Sequence, residues 1–311
     1  RKQLQLIAVT LATFHVFAGC CASAFLMEIL MTKAPQSANL ITFLQFLFIS
    51  LQGFIITAKF GTVKSKIPLQ QYALLVTLFF VTSVANNYVY SLHVPSTLHM
   101  IIRSASSPAS MLVSWYYKKR PPRPNNGLGS ILISIGVAIA MYGGATIADQ
   151  NHGQFLFWCL GVTILVSMLI LGAFTGLQQE ILYTKHGKHP EEMMFYTHVM
   201  PLPFFLTMYP QMRDASYTLD LEIWILICLN IVAQFYCTHS VHNLATKDTS
   251  VTVTFILTLR KFISLIISSI VFKNNLTVFH VIGSFFVIIG TYIYFDYFAA
   301  RQQRSVSVRD K

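Results

Sequence analysis

Ten apolar runs, each about as long as a membrane is thick, dominate this 311-residue sequence. A helix needs roughly 20 mostly apolar residues to cross the hydrocarbon core of a bilayer. The runs cover about 4–31, 38–57, 69–91, 95–117, 127–148, 154–177, 192–210, 221–242, 250–272 and 276–298. The joints between them are too short to hold a soluble domain. We therefore expect an all-α integral membrane protein that forms one transmembrane domain over residues 1–311, with the lipid bilayer as its surroundings.

Charged residues are few and unevenly placed. They make up 11% of the chain, whereas about 25% is usual for a soluble domain. Of the 22 Lys and Arg residues, 16 lie at the termini and in the loops after runs two, four, six and eight, while three lie in the remaining loops and three inside runs. Since cytosolic loops are enriched in Lys and Arg, this distribution predicts ten spans with both termini cytosolic. It also argues against nucleic acid as a partner, despite the net charge of +11.

The runs divide into two sets of five, about 4–148 and 154–298, followed by a tail at 299–311. Arg103 lies in the fourth run of the first set, and Arg260 and Lys261 lie in the fourth run of the second set. Because five is an odd number, the second set must enter the membrane from the opposite side. The sequence thus predicts ten transmembrane helices as two inverted five-helix repeats, an architecture in which the substrate binds near the midplane between the halves.

The three cations inside the runs are the main clue to function. A charged side chain near the centre of a bilayer is costly, so such residues turn inward and usually mark an ion or substrate path. Neither run contains an Asp or Glu that would neutralise them. We expect Arg103, Arg260 and Lys261 to bind an anion of the substrate, most simply phosphate, because a guanidinium binds phosphate oxygens as a bidentate fork and an ammonium as a point charge.

Steps of three or four residues place other polar groups on the same helix faces as these cations. They are Ser96, His99, Ser106, Ser110 and Ser114 in the fourth run and Ser250, Thr254, Thr258, Ser264 and Ser268 in the ninth. Small hydroxyl residues also let helices pack closely in lipid. Packing accounts for the hydroxyls but not for the cations.

Four further residues are candidates for sugar contacts or for a gate: Glu28, Asn86, Asn87 and Thr258. Amides inside the membrane suit a ligand rich in hydroxyls, but they serve equally well as hydrogen bonds between helices. The same alternatives hold for the polar residues of the eighth run, Asn230, Gln234 and Thr238. Glu28 lies near the luminal end of the first run, where an interfacial carboxylate is the alternative.

The seventh run is interrupted by Pro201, Pro203 and Pro210, which predicts a broken helix. Lipid tolerates such a break only where neighbouring protein or a cavity satisfies the freed backbone groups. Ahead of the prolines lies the segment Phe195-Tyr196-Thr197-His198. Its aromatic and hydrogen-bonding groups fit a nucleobase held by stacking and edge contacts. An aromatic belt at the membrane interface is the alternative interpretation.

The cysteines and glycines carry less information. All five cysteines lie in apolar runs without framework or metal-ligand spacing: Cys20, Cys21, Cys159, Cys228 and Cys237. We therefore expect neither a disulfide nor a metal site. The glycine spacings inside the runs indicate helix packing. The sequence contains no P-loop and no Ser-His-Asp arrangement placed in a water-accessible domain, so we expect neither enzymatic activity nor a cofactor.

Six segments together resemble a known family. They are Val16–Cys21, Thr42–Phe48, Val84–Tyr88, Leu98–Ser104, Phe195–His198 with Leu202-Pro203, and Thr258–Phe262. The chain resembles the nucleotide-sugar transporters of the solute carrier 35 family, in the drug/metabolite transporter superfamily, and within it the UDP-xylose and UDP-N-acetylglucosamine transporter branch. The resemblance implies ten helices in two inverted halves. It also implies exchange of a cytosolic nucleotide sugar for a luminal nucleoside monophosphate across the Golgi or endoplasmic reticulum membrane.

The resemblance also assigns residues. Family members place a phosphate-contacting cation in helix four, which is Arg103 in this chain. A related GDP-sugar branch has Phe-Tyr-Asn-Asn near the nucleobase, where this chain has Phe195-Tyr196-Thr197-His198. The replacement of both Asn residues puts guanine recognition in doubt and is compatible with uracil. The Gly-Ala-Leu-Asn-Lys motif of that branch is matched by Leu259 and Lys261, while Arg260 replaces Asn.

These observations favour an antiporter that moves UDP-N-acetylglucosamine, UDP-xylose or both into the lumen in exchange for UMP. We expect the phosphates at Arg103, Arg260 and Lys261 and the nucleobase at Phe195–His198, chiefly Phe195, Tyr196 and His198. The alternatives are a transporter of another phosphorylated anion, such as a sugar phosphate or an adenylyl sulfate, and a multispan glycosyltransferase, which the scarcity of luminal acids disfavours. The preferred sugar, homo-oligomer formation and proton coupling stay open.

Overall fold

A computed structural model of the chain describes most of its residues. They are 2–92, 94, 96–119, 121, 124–150, 155–187, 189–247, 256–258, 260–261, 263–264, 267, 271 and 277–309. Every regular element within these residues is helical. The all-α fold that the apolar runs predicted is thereby confirmed for the described chain.

The helices with both ends in the described residues are α1 (Lys2–Lys33), η1 (Pro35–Ser37), α2 (Ala38–Ile56), α3 (Leu69–Val89), α4 (Ser96–Ser104), α5 (Ser106–Lys118), α6 (Pro124–Gln150), α7 (Phe155–His186), α8 (Pro190–Val199), α9 (Leu202–Phe205), η2 (Leu206–Met208), α10 (Tyr209–Tyr217), α11 (Leu221–Lys247) and α12 (Val278–Arg309). The described residues between 256 and 271 are also helical. Helix α12 continues through most of the predicted tail at 299–311.

Six described helical segments are long and apolar enough to cross a membrane: Leu11–Lys33, Pro35–Ile56, Leu69–Val89, Pro124–Gly143, Phe155–His186 and Leu221–Val241. The apolar segment Val278–Tyr294 is shorter. Large apolar side chains such as Phe14 and Leu156 are exposed on these helices, as expected where lipid replaces water as the solvent. The chain is therefore a multi-pass membrane protein. Ten spans in two inverted repeats stay a prediction.

The helix breaks reflect the prolines. Helix α8 ends at Val199, Pro201 precedes the short α9 and Pro203 lies within it, and the chain then turns through η2 into α10. This confirms the predicted break in the seventh run. The fourth run, by contrast, was predicted as one helix and is two, because α4 ends at Ser104 and α5 begins at Ser106. Pro108 explains this break, since its ring lacks an N–H and collides with the carbonyl four residues earlier, that of Ser104.

The chain divides into two compact units. The first comprises Arg1–Leu92 and Phe174–Asp248, and the second comprises His93–Ala173 and Thr249–Lys311. In the first unit α1 packs along α11, and polar side chains join the two helices. Ser23 Oγ donates to Gln234 Oε1 at 2.7 Å, and Asn230 Nδ2 donates to the Ser23 carbonyl at 2.9 Å. Of the alternatives left open for the eighth run, these bonds favour contacts between helices.

A disulfide links α1 to α11, and the prediction that the cysteines are unpaired was wrong. Cys20 and Cys237 are bonded, with their Cα atoms 4.5 Å apart. Gly19, which precedes Cys20, permits this close approach. A Cβ atom at that position would lie only 2.6 Å from Cδ1 of Tyr236, which precedes Cys237. The two cysteines are 217 residues apart in sequence. Cysteine spacing could not reveal the pair, because only the packing of α1 on α11 brings them together.

In the second unit α6 packs against α12 through glycines. A Cβ atom on Gly136 would lie 2.5 Å from the carbonyl oxygen of Gly283, and one on Gly129 would lie 2.6 Å from that of Gly290. Real Cβ atoms do not come this close to backbone oxygens, so the two helices need glycine at these positions. The helix-packing role predicted for the glycine spacings is confirmed at this contact.

Candidate functional site

In the second unit, Lys261 contacts the break between α4 and α5. Its Nζ donates a hydrogen bond to Ser106 Oγ at 2.9 Å and another to the carbonyl oxygen of Arg103 at 3.1 Å. Both acceptors are neutral oxygens, so these two bonds orient the ammonium without cancelling its charge. The fourth and ninth runs, which the sequence predicts to carry matching polar faces, meet at this contact.

The other residues of these two runs differ in exposure. Arg103 is exposed and Arg260 is half-buried, whereas His99 and Thr258 are buried. An arginine inside a membrane span is costly where it faces hydrocarbon and is tolerated beside water or an anion. Arg103, Arg260 and Lys261 stay the predicted phosphate contacts, and of these the structure brings the Lys261 ammonium to the backbone carbonyl of Arg103. Ser250, Thr254 and Ser268 of the predicted polar face lie outside the described residues.

In the first unit, Phe195 and Tyr196 lie on α8, and the Tyr196 ring contacts two other aromatic rings. Phe195 is buried against Gly53 of α2, where a Cβ atom would lie 2.6 Å from its ring carbon Cδ2. The Phe195 and Tyr196 ring centroids are 5.0 Å apart. The Tyr196 ring also lies 5.1 Å from the ring of Tyr72 on α3, at an interplanar angle of 34°. Helix α8 is thus fixed between α2 and α3.

These two aromatic residues line a pocket of about 390 Å³ in the first unit. The segment between α2 and α3 forms its other wall. The remaining lining residues are Thr57, Ala58, Val63, Lys64, Ser65, Lys66, His189, Pro190, Glu191 and Glu192. Because the lining includes two glutamates as well as two lysines, its charges balance. The aromatic wall with these polar groups is suited to a ligand that has a ring and several hydrogen-bonding groups.

His198 lies elsewhere on α8. It is buried, its Nδ1 is 2.7 Å from the carbonyl oxygen of Met194, and its ring centroid is 4.8 Å from that of Phe46 and 5.5 Å from that of Phe79. It is not among the residues that line the pocket. The structure therefore brings Phe195 and Tyr196 together at one pocket and places His198 in an aromatic cluster beside it on the same helix.

The remaining predicted residues lie apart from this pocket. The Asn87 amide donates to Thr42 Oγ1 at 2.6 Å, to Asn39 Oδ1 at 3.1 Å and to the Ala38 carbonyl at 3.2 Å. These bonds tie α3 to the start of α2 and favour the helix-contact interpretation of Asn87. Asn86 is half-buried on α3 and Glu28 is buried on α1.

Sequence reasoning missed the residues around Glu192. Its carboxylate accepts hydrogen bonds from the backbone N–H groups of Lys66 and Ile67, from Ser65 Oγ and from the hydroxyl of Tyr72. The available signal was the position of Glu192 in the first turn of α8, two residues after Pro190. Acids are common there because they interact favourably with the helix dipole, so that signal does not point to a partner in another loop.

The apolar helices define the class of the protein, an integral membrane protein, and the sequence predicts that three of its cations lie within spans. The profile of the UAA transporter family matches residues 8–297. The chain belongs to this family of transporters, which confirms the resemblance to nucleotide-sugar transporters.

Two relatives show how broad the likeness is. A Danio rerio protein named "UDP-xylose and UDP-N-acetylglucosamine transporter" is 37% identical over 311 residues, which is 93% of this chain and 93% of the relative. The "Endoplasmic reticulum GDP-fucose transporter" of Drosophila melanogaster is 35% identical, over 91% of this chain and 89% of the relative. A solved crystal structure shares the fold with a TM-score of 0.59 at 12% identity, over 92% of this chain and 96% of its own.

Proposed function

We propose that the chain is an antiporter that moves a UDP-sugar, UDP-N-acetylglucosamine or UDP-xylose, from the cytosol into the lumen in exchange for UMP. The observation that carries this proposal is the position of Lys261, an ammonium inside a predicted span that is oriented by two neutral oxygens next to Arg103. Arg103, Arg260 and Lys261 bind the phosphates. No acidic residue lies in either of their runs, so a phosphate is their natural counter-ion.

The nucleobase is assigned to α8. Tyr196 lines the pocket and is backed by Tyr72, so it offers a fixed aromatic face for stacking. Phe195 supports it, and His198 is the proposed edge contact. The Danio rerio relative is named for UDP-sugars, and the replacement of Asn by Thr197 and His198 in the motif favours uracil over guanine. Glu28, Asn86 and Thr258 are proposed for sugar contacts or a gate.

Exchange follows from the charges. An empty carrier has to reorient with intramembrane cations that no ligand neutralises, and this is costly. A carrier loaded with either phosphate ligand reorients with its charges balanced, so each direction of transport requires a ligand.

We propose ten spans in two inverted repeats, both termini in the cytosol and residence in the endoplasmic reticulum or Golgi membrane. The contact of Glu192 with Lys66 supports this topology, because it joins the loop after α2 to the start of α8, and both are assigned to the cytosolic side.

Counterflow in liposomes tests the proposal. Purified protein is reconstituted with UMP inside, and labelled UDP-N-acetylglucosamine, UDP-xylose, GDP-mannose and GDP-fucose are offered separately outside. We expect uptake of at least one UDP-sugar that depends on internal UMP. Uptake that is independent of internal UMP would contradict antiport, and folded protein that takes up none of the UDP-sugars would contradict the substrate assignment.

A second candidate is transport of a GDP-sugar. The Drosophila melanogaster relative named for GDP-fucose is 35% identical to this chain, which is close to the 37% of the relative named for UDP-sugars. The same liposomes decide between them when GMP replaces UMP inside. Uptake of GDP-fucose that depends on internal GMP would favour this candidate. Uptake of another phosphorylated anion, such as a sugar phosphate, would indicate that the three cations bind phosphate and that transport does not require a nucleobase.

A further inference from the structure

The Glu192 carboxylate is the centre of a hydrogen-bond network that phosphate and base binding do not use. Its Oε1 accepts from Ser65 Oγ at 3.0 Å, from the Ile67 N–H at 3.0 Å and from the Tyr72 hydroxyl at 3.3 Å. The Lys66 N–H is 3.0 Å from Oε1 and 3.1 Å from Oε2. Hydrogen bonds to an ionised carboxylate are stronger than neutral ones. One side chain of α8 therefore fixes both the segment 65–67 and the phenol of α3.

Tyr72 connects this network to the proposed base site. Its side chain is fully buried, its hydroxyl bonds Glu192, and its ring lies 5.1 Å from the ring of Tyr196. Glu192 and Tyr196 are four residues apart on α8, so they lie on the same helix face. The two side chains thus hold Tyr72 at both ends, Glu192 at the hydroxyl and Tyr196 at the ring. Any rotation of Tyr196 away from Tyr72 has to give up this contact.

The same network forms the pocket that Tyr196 lines. The segment held by Glu192 contributes Ser65 and Lys66 to the lining, which also includes Phe195 and Tyr196. Without the carboxylate, the backbone N–H groups of Lys66 and Ile67 would lose their acceptor. The wall of the pocket and the orientation of its aromatic face therefore depend on one residue. A ring held in its binding orientation beforehand binds more tightly, because less freedom is lost on binding.

We propose that Glu192 and Tyr72 are positioning residues for nucleotide recognition. Glu192 fixes the segment 65–67 and the Tyr72 hydroxyl, and Tyr72 fixes the Tyr196 ring on which the nucleobase of the cargo stacks. This proposal rests on the proposed function in one respect, the assignment of Tyr196 to the base.

The variants that test it are Glu192→Gln and Tyr72→Phe. The first leaves one acceptor oxygen and removes the charge, and the second removes one hydroxyl and keeps the ring contact with Tyr196. Two matched controls are used. Glu222→Gln changes an exposed carboxylate in the first turn of α11 that pairs with Lys33, and Tyr88→Phe changes an exposed tyrosine of α3. Reconstituted variants are compared in counterflow, and nucleotide binding is read from the thermal shift of detergent-solubilised protein.

We expect KM for the nucleotide sugar to rise about three- to tenfold in Glu192→Gln and about two- to fivefold in Tyr72→Phe, in line with the loss of one or more hydrogen bonds. Vmax stays within about twofold, since a residue that only orients the binding face acts mainly on ground-state affinity. The affinity for UMP falls by the same factor, whereas that for ribose 5-phosphate, which has no base, does not change. Both controls behave as the wild type.

A double-mutant cycle separates positioning from a general loss of stability. In a Tyr196→Ala background, Glu192→Gln has no further effect on nucleotide affinity if it acts through the Tyr196 ring, because coupled residues are not additive. Additive effects, or an equal loss for ribose 5-phosphate, would overturn the proposal. So would wild-type affinities in both single variants. If Glu192→Gln does not fold, Tyr72→Phe decides alone.

Binding of UMP and GMP distinguishes a failure of the positioning proposal from a failure of the proposed function. The thermal-shift panel contains UMP and GMP, so a guanine-based cargo refutes the UDP-sugar assignment while Glu192 is still tested with GMP. If the wild type binds neither nucleotide, Tyr196 has no base to contact and the positioning proposal falls with it.

Discussion

The ammonium of Lys261 lies 2.9 Å from the hydroxyl oxygen of Ser106, which is 155 positions earlier in the chain. Ser106 is the first residue of α5, directly after the break at Ala105. The same ammonium bonds the carbonyl oxygen of Arg103, in the last turn of α4. A cation inside a predicted span is thus oriented by a helix break in the neighbouring run. Broken helices inside membranes are tolerated mainly where they border protein or a water-filled cavity.

Removal of either cation should strongly reduce exchange and leave the fold intact. Arg103→Ala and Lys261→Ala each delete a charge-assisted contact to the proposed phosphate, which corresponds to roughly a 10- to 100-fold loss of counterflow. Lys185→Ala, an exposed lysine in the last turn of α7, is the control and should transport normally. Counterflow rate and size-exclusion profile are measured for each variant. Near wild-type exchange in both cation variants would refute the phosphate assignment.

Ser106→Ala should have a smaller effect than the loss of the lysine. The variant removes one of the two neutral acceptors, while the Arg103 carbonyl still holds the ammonium at 3.1 Å. We expect KM for the nucleotide sugar to rise about two- to fivefold, the value of one hydrogen bond. Ser134→Ala is a suitable control, since that hydroxyl bonds the Ser130 carbonyl of its own helix. A full loss of transport in folded Ser106→Ala would mean that the hydroxyl contacts the substrate directly.

Several of these features were predictable from the sequence because they depend on local chemistry. The break after α8 follows from Pro201 and Pro203, and the bounds of α2 and α3 match apolar runs that end at polar joints. The helical spacing of polar residues around Arg103 and Lys261 places them on matching faces, and their runs do meet at Ser106. Periodicity and proline chemistry act over a few residues, so they can be recognised without the fold.

The features that were missed depend on contacts between distant segments. The Cys20–Cys237 bond requires α1 and α11 to approach at Gly19, and nothing near either cysteine encodes this. The network of Glu192 requires the loop after α2 to reach the start of α8. The break at Ala105 was a local feature that could have been read from Pro108.

Loss of the disulfide should destabilise the first unit without changing substrate choice. Cys20→Ala and Cys237→Ala each remove the link between α1 and α11, and disulfides typically contribute about 2–4 kcal/mol to stability. We expect a lower melting temperature in detergent and an unchanged order of preference among nucleotide sugars. Cys228→Ala, on the same helix as Cys237 but free and exposed, should melt like the wild type. A peptide map under non-reducing conditions that finds both thiols free in the wild type would contradict the bond.

Replacement of His198 by Phe should separate packing from base recognition. The ring contacts with Phe46 and Phe79 are kept, so the melting temperature should stay close to that of the wild type. Removal of the ring nitrogens should weaken UMP binding about three- to tenfold if one of them meets the base edge. Thermal shift with UMP measures the effect. An unchanged UMP affinity would assign His198 to the aromatic cluster alone and leave Tyr196 as the base contact.

Two glycine substitutions on α6 should have opposite effects on stability. A Cβ atom on Gly136 would lie 2.5 Å from the Gly283 carbonyl oxygen, so Gly136→Ala forces α6 and α12 apart, and such overpacking costs about 1–3 kcal/mol. A Cβ atom on Gly127 would have no neighbour within 4 Å among the residues that the structure describes. Gly127→Ala should therefore be neutral or more stable, because alanine favours a helix by about 1 kcal/mol over glycine. Melting temperatures in detergent compare the two, and equal values would show that α6 and α12 do not approach through Gly136.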